Sequence, residues 1–394
     1  MSSAGRRPRV VLLRGHHANV WDLRPWERLR DDYDVAVLVT GSNMHQVEGL
    51  ELEVVPVRTP RDILPGARVA GAAAYALGER YLDLERHLAG ADIVHGAEIG
   101  TWFAAQAAGL RRRMGFALAL TVWETIAWRA TYRWPRERAY RRRILAAADH
   151  FLPATERARD GLLLEGVAPE RMTVCPPGID LDHFAAARGP AQPPSAHRIL
   201  SAGRLVWEKG HQDVLRAFAA LRRVLAGTPH TDVELLVVGD GPERGRLQRY
   251  ARELGVADSV EFRPTVPYDD MPALYASASA LVLASLPTRG WEEQFGMVLV
   301  EALAARTPVI ACSTGAIPEV LGADGTLVAA GDWLGLAQAL GQTLSGAPAA
   351  RAEVDRERLD RFSSAAAAER LRAVYADLLE RSGRSPKRPA TTSR

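Results

Sequence analysis

Arg204 and Lys209 stand five residues apart in SAGRLVWEKG (201–210), where Gly203 frees the backbone to leave an apolar run. A guanidinium offers a planar fork to phosphate oxygens and an ammonium a compact charge, so the pair fits a departing diphosphate. Taken alone, the same two cations describe a solvated turn. A second segment, WEEQFGMVLVEALA (291–304), sets Gly296 before a helical pattern and places Glu301 eight residues beyond Glu293. A glycine at a helix start lets a ligand approach backbone N–H groups that lack intrahelical acceptors and favour anions. Carboxylates bridge pairs of sugar hydroxyls, so one glutamate suits a hexose and the other a ribose. Glu301 is flanked by Val298, Leu299, Val300, Ala302 and Leu303, a setting in which a buried carboxylate requires a partner. Glu292 and Glu293 also read as ordinary acids favoured by a helix N-terminus.

These residues need strand ends to stand on. Short apolar runs at 10–13, 35–39, 93–94, 116–122 and 151–152 alternate with helical stretches, and a second series follows at 199–201, 233–238, 260–262, 280–284, 308–311 and 326–328. Runs of this length between helices imply parallel strands covered on both faces. AARGPAQPPSAHR (186–198), with three prolines and a glycine, sustains neither helix nor inner strand. The expected organisation is therefore α/β: two Rossmann-like domains at 1–187 and 199–365 facing across a cleft, joined by a linker at 188–198. A helix at 366–380 is expected to pack back toward the N-terminal domain. The polar, basic segment 381–394 is expected to be disordered. In such sheets ligands sit beyond the carboxyl ends of the strands.

Composition narrows the partners. The chain has 394 residues, 50 Lys plus Arg against 47 Asp plus Glu, and a net charge of +3, which gives no overall reason for nucleic-acid binding. Cys175 and Cys312 form no CxxC or Cys/His cluster, so neither a zinc site nor a disulfide framework is expected, and a reducing, cytoplasmic compartment is. The run 10–13 is too short for a signal-peptide core, and no stretch of 18 apolar residues occurs. A nicotinamide oxidoreductase would show GxGxxG after a strand, and neither RGHHAN nor VGDGPERG has that spacing.

In order and spacing, PPGIDLDHF (176–184), GRLVWEKG (203–210), VVGDGPER (237–244), EQFGMVLVEALAARTPVIA (293–311) and STGAIPEV (313–320) resemble the family 4 retaining glycosyltransferases of the two-Rossmann, GT-B type, the glycosyl transferases of group 1. The resemblance implies hexosyl transfer from a UDP- or GDP-sugar, held by the C-terminal domain, to a hydroxyl acceptor at the N-terminal one. It assigns Arg204 and Lys209 to the diphosphate, Glu293 to the donor hexose and Glu301 to the ribose. Phe295, Gly296 and Met297 would approach the donor through backbone groups, and Arg263 would lie near the base, although Pro264 stands where the family carries glycine. No metal and no cofactor beyond the nucleotide-sugar substrate is implied. A sugar-nucleotide-binding protein without transferase activity, and a phosphorylase- or synthase-type reaction on the same fold, are the alternatives.

The N-terminal half departs further. Many relatives open with paired glycines after the first strand, whereas RGHH (14–17) carries only Gly15, which would meet the donor phosphates. Trp123 and Glu124 stand where a family histidine often follows the strand, so Glu124 is the expected contact of the acceptor hydroxyl. His95 and Glu98 end another strand on the same side and are acceptor-side candidates; the plain readings are a core histidine and a helix cap. His16 is a weaker candidate, and His17 reads as a loop residue. Finally, WRATYRWPRERAYRRR (128–143) holds seven arginines, one acid and four aromatics. It is expected either to make peripheral contact with an anionic membrane, to grip an anionic acceptor, or to be a solvated helix face.

Overall fold

The computed structural model describes residues 6–45, 47–63, 71, 78–129, 134–186, 197–226, 232–345 and 352–383. The chain divides into two compact units, residues 1–179 with 363–394, and residues 180–362.

The first unit is built on six parallel strands: β1 (Arg9–Leu13), β2 (Asp34–Thr40), β3 (Glu53–Val57), β4 (Ile93–Ala97), β5 (Ala117–Val122) and β6 (His150–Pro153). They lie in the order β3-β2-β1-β4-β5-β6. Val10 of β1 stands opposite both Val35 of β2 and Ile93 of β4, so β1 is central and must be apolar on both faces. Its side chains alternate accordingly. Val11 and Leu13 join a core with Phe103, Leu118 and Leu120, whereas Val10 and Leu12 join one with Trp26, Leu371 and Tyr375. The second core needs the C-terminal helix Ser364–Arg381, whose Tyr375 hydroxyl accepts a 2.8 Å hydrogen bond from Trp26 Nε1.

The second unit repeats the plan with β7 (His197–Ala202), β8 (Val233–Val238), β9 (Val260–Arg263), β10 (Ala280–Leu283), β11 (Val309–Ser313) and β12 (Thr326–Ala329), in the order β12-β11-β10-β7-β8-β9. Each sheet thus has its own Rossmann order, with chain direction reversing between its first and fourth strands, and that reversal leaves a crevice at the carboxyl ends. The helix His211–Leu225 covers one face of the second sheet through Val214, Phe218 and Leu221.

Three sequence expectations change. The strand β3 was not anticipated: its exposed Glu53 and Pro56 mask the strand pattern, and proline is tolerated because β3 is an edge. The units meet at 179/180 and 362/363 in the chain, not at 187 and 365. Of the expected linker 188–198, residues 188–196 lie outside the described residues, while His197 and Arg198 already belong to β7. Of the expected tail, Arg381 ends the helix, Ser382 and Gly383 follow it, and the rest lies outside the described residues.

Candidate active site

At the reversal point of the second sheet, the loops after β7 and β10 converge. Gly210 has φ +68°, and a Cβ there would overlap the Ala284 carbonyl oxygen, so only glycine lets the β7 loop lie against the end of β10. Gly315, with φ +55°, approaches the Glu293 carbonyl in the same way from the loop after β11. Leu286 N donates to Glu208 O and Ala316 N to Glu293 O, each at 2.8 Å. Three loops are therefore tied backbone to backbone.

That frame brings Lys209 and Glu293 together. Lys209 Nζ donates to Glu293 Oε2 at 2.7 Å and Oε1 at 3.0 Å, and Ser285 Oγ donates to Oε2 at 2.6 Å. Glu293 is only 6% exposed, which is tolerable for a carboxylate because its charge is matched and hydrogen-bonded. Lys209 Nζ also lies 5.2 Å from the centre of the Trp291 ring. Gly296 is the N-cap of the helix Met297–Ala304, so the N–H groups of Met297 and Val298 have no acceptor inside the helix, whereas Leu299 N donates to Gly296 O at 2.9 Å. Phe295 points its ring into the core against Phe362, and Met297 is half-buried.

Arg204 is exposed, and its guanidinium has no hydrogen bond or ion pair among the described residues. Its carbonyl, however, is fixed by His211. Burial lowers the pKa of that imidazole to about 4, so the ring is neutral. Nε2 lies 3.2 Å from the Arg204 carbonyl, which can only accept, so Nε2 carries the hydrogen and Nδ1 accepts from Ser201 Oγ at 2.9 Å. Gly203 starts the turn at the end of β7.

Glu301 sits in the second turn of the Met297–Ala304 helix, 5% exposed, and receives a 2.6 Å hydrogen bond from Tyr275 Oη. Burial pushes its carboxyl up to about 7, against the Tyr275 hydrogen bond, which lowers it. Arg263 ends β9 in a two-pronged ion pair with Glu261, at 2.6 and 3.0 Å, so its guanidinium is engaged two residues away on the same face of the strand.

In the first unit, His95 corrects an expectation. It has no exposed surface, its Nδ1 lies 2.6 Å from Tyr375 Oη and its Nε2 2.8 Å from Thr121 Oγ1. Burial drives its pKa well below the usual value. Both nitrogens are spent inside the core, so His95 has no atom to offer an acceptor.

Glu98 instead sits at the end of β4 with φ +64°, half-buried, and accepts from Trp123 N at 2.8 Å. Burial raises it to about 7, with the adjacent Glu124 adding to the shift. Glu124 accepts from Ile126 N at 3.0 Å and pairs with Arg129 at 2.6 Å, its side chain 15% exposed. Gly15 N donates to Tyr81 Oη at 2.8 Å. His16 Nδ1 is 3.0 Å from both Thr40 Oγ1 and Ser42 Oγ, its other nitrogen faces Glu79, and burial lowers its pKa.

The arginine-rich stretch splits. Residues 130–133 lie outside the described residues, Trp128 and Arg129 precede them, Trp134 is the N-cap of the helix Pro135–Ala147, and that helix carries 135–143. Arg141, expected on an exposed basic face, is buried and paired with Glu165. Trp128, Trp134, Arg138, Arg142 and Arg143 are exposed. Among the described residues no helix is long and apolar enough to cross a membrane, and no cluster of three His, Cys, Asp or Glu could hold a metal ion.

Sequence reasoning missed Ser285, Tyr275, His211 and Arg14. Ser285, Tyr275 and His211 act on Glu293, Glu301 and the Arg204 carbonyl, contacts that no local spacing announces.

Comparison with known proteins completes the picture. The model for Glycosyltransferase Family 4 matches residues 26–183, and that for Glycosyl transferases group 1 matches 187–366. A D-inositol 3-phosphate glycosyltransferase of Streptomyces bingchenggensis is 36% identical over 190 residues, 44% of this chain and 40% of that protein. Its counterpart in Nocardia farcinica is 33% identical over 242 residues, 58% of this chain and 50% of that protein. The chain spans half or less of the length of these curated relatives. Among solved structures, Anabaena HepE in complex with UDP and glucose superposes with a TM-score of 0.69 at 16% identity, covering 94% of this chain and 100% of that one. Sucrose-phosphate synthase from Thermosynechococcus elongatus gives 0.70 at 21% identity, covering 95% and 100%. At these identities the likeness is one of fold, that of two Rossmann-like domains of the GT-B type.

Proposed function

We propose that this chain, which belongs to the family 4 glycosyltransferases, moves a hexosyl group from a UDP- or GDP-sugar to a hydroxyl acceptor with retention of anomeric configuration. The observation that carries the reading is the convergence of Lys209, Glu293, Ser285 and a helix N-terminus at the reversal point of the second sheet. The difficulty of such a transfer is the charge that develops on the leaving diphosphate. Arg204 and Lys209, with the first-turn amides at Met297 and Val298, supply fixed positive potential there, a kind of electrostatic stabilisation worth several kcal/mol.

Each oxygen of Glu293 has two acceptor positions. Lys209 and Ser285 occupy both on Oε2, and Lys209 occupies one on Oε1. One position on Oε1 is left for a hydroxyl of the transferred sugar. Glu301 is assigned to the ribose and Arg263 to the neighbourhood of the base. In the first unit Glu124 is assigned to the acceptor hydroxyl, with Glu98 beside it. No protein nucleophile enters the scheme: the departing phosphate takes the acceptor proton on the same face. HepE, with its bound UDP and glucose, supports a nucleotide-sugar donor, and the inositol-phosphate relatives support a polyol acceptor.

Cys175 and Cys312 are both free and buried, which suits a reducing, cytoplasmic setting. The exposed Trp128, Trp134, Arg138, Arg142 and Arg143 suit peripheral contact with anionic lipid. The reading is tested by offering UDP- and GDP-sugars to the protein and following nucleoside diphosphate by mass spectrometry. Slow donor hydrolysis with one nucleotide class is expected, and release from neither would refute it.

A further inference from the structure

Arg14 directly follows β1, at the reversal point of the first sheet, and no role in the proposed transfer uses it. It is only 7% exposed. Its guanidinium lies 4.7 Å from the centre of the Trp26 ring, and among the described residues it has no hydrogen bond or ion pair, with Nε buried and unsatisfied. A cation desolvated to this extent is costly unless an anion or a full set of acceptors answers it. No described group around it is bonded to the guanidinium. His95 is neutral and committed to Tyr375 and Thr121, and Trp26 donates to the Tyr375 hydroxyl. Tyr81 receives the Gly15 amide, and burial raises its pKa, so it is an uncharged phenol. The acids close enough to act on Arg14 are Asp22 and Glu98. Asp22 is bound to the side chain of Asn19 at 2.8 Å. Glu98 accepts the Trp123 amide, and burial pushes its carboxyl up to about 7, so near neutrality it is only partly charged.

We propose that Arg14 is an oxyanion site that binds a phosphate group of a substrate, with Glu98 near it for a hydroxyl of the same ligand. The inference rests on the transferase reading and adds to it the chemical class of one ligand. The phosphate has two sources, a phosphorylated polyol acceptor or the diphosphate of the donor. The fork of a guanidinium engages two phosphate oxygens at once, which the ring of Trp26 beneath it leaves free to happen. A protonated Glu98 nearby adds a donor rather than a repelling charge.

The test titrates inorganic phosphate, glycerol 3-phosphate, glycerol and UDP into the full-length protein, the Arg14→Met variant and the Arg14→Lys variant, by phosphorus NMR and calorimetry. Arg14→Met is expected to weaken phosphate and glycerol 3-phosphate about tenfold or more, the equivalent of one charge-assisted hydrogen bond. Arg14→Lys should recover part of that loss, and glycerol should not distinguish the three proteins. If UDP affinity is unchanged, the acceptor is the source of the phosphate; if UDP weakens in parallel, the donor is. Equal binding of phosphate, glycerol 3-phosphate and UDP to wild type and Arg14→Met would overturn the site, as would failure of the wild type to bind any of them. Melting curves without ligand guard against a purely structural role: Arg14→Met should melt no lower than wild type, because it removes a desolvated charge that no hydrogen bond satisfies. A lower melting point with phosphate binding intact would also overturn the proposal. UDP binding by Lys209→Ala reports on the donor reading separately, so the two ideas fail independently.

Discussion

The two sheets share one strand order, yet their carboxyl ends are finished in opposite ways. In the second unit the half-buried cation Lys209 meets a buried anion, Glu293, with Ser285 completing the set, on loops locked by glycines against carbonyl oxygens. In the first unit the buried cation Arg14 meets no partner among the described residues, and the glycine beside it faces only side chains, a Cβ on Gly15 touching the Phe103 ring at 2.8 Å. Topology fixes where a ligand goes. Whether the site is complete before the ligand arrives depends on the particular residues. One end is organised internally, and the other leaves a charge for something else to satisfy.

The largest expected effect separates the two ends by their glycines. Gly210→Ala drives a Cβ into the Ala284 carbonyl at a positive φ, and its cost should exceed roughly 4 kcal/mol, the range reserved for severe defects. Gly15→Ala also has a positive φ, but the Phe103 ring can rotate away, so about 1–2 kcal/mol is expected. Urea denaturation of the two variants gives the comparison directly, and equal costs would dissolve it. Next in size is Lys209→Ala, which strands Glu293 as an unpaired buried charge. A loss of about 3 kcal/mol is expected, and Glu293→Gln on top of it should restore much of the stability. A double-mutant cycle measures this, and additive losses would show that the pair is not coupled.

What the sequence made readable follows the same divide. Gly203, Arg204, Lys209, Glu293, Gly296 and Glu301 are close-spaced within two segments, because a strand-to-helix loop must return to the same sheet edge within a few residues. The strands were readable wherever both faces are apolar, as in β1 and β10, and unreadable in β3, where Glu53 and Pro56 interrupt a short apolar run. The partners were not readable. Tyr275 reaches Glu301 across 26 positions, and Arg141 reaches Glu165 across 24, through helix packing that no local pattern encodes. His95 was ambiguous for the same reason: its partner Tyr375 arrives from a helix 280 residues later.

Smaller effects concern protons and charges. Glu301 and Glu98 are both raised from 4.5 to about 7, one in each unit. A raised carboxyl keeps its proton in the folded state after the unfolded chain has lost it. Stability should therefore fall as pH rises from about 4.5 to about 7 and level off above, by at most about 1.4 kcal/mol per pH unit for each group. Urea melts from pH 4.5 to 8 should show this slope reduced by Glu301→Gln and by Glu98→Gln; an unchanged slope in either variant would remove that residue from the account. Smallest is the basic helix face. Each exposed arginine near anionic lipid contributes about 1 kcal/mol. Changing Arg138, Arg142 and Arg143 to Glu, while leaving the buried Arg141, should release the protein from anionic vesicles at low salt in a sedimentation assay. Retention of this variant would exclude the arginines as the lipid contact.

The central claim is that the carboxyl end of the second sheet holds the diphosphate of the donor. Arg204 tests it most cleanly, because its guanidinium is exposed and engaged by no described residue, so removing it disturbs no packing. Calorimetric titration of UDP and GDP into wild type and Arg204→Ala should show one nucleotide binding the wild type and losing about ten- to 150-fold in affinity in the variant, the equivalent of one charge-assisted hydrogen bond. Equal affinity of both proteins for the nucleotide, or binding of neither UDP nor GDP by the wild type, would contradict the claim.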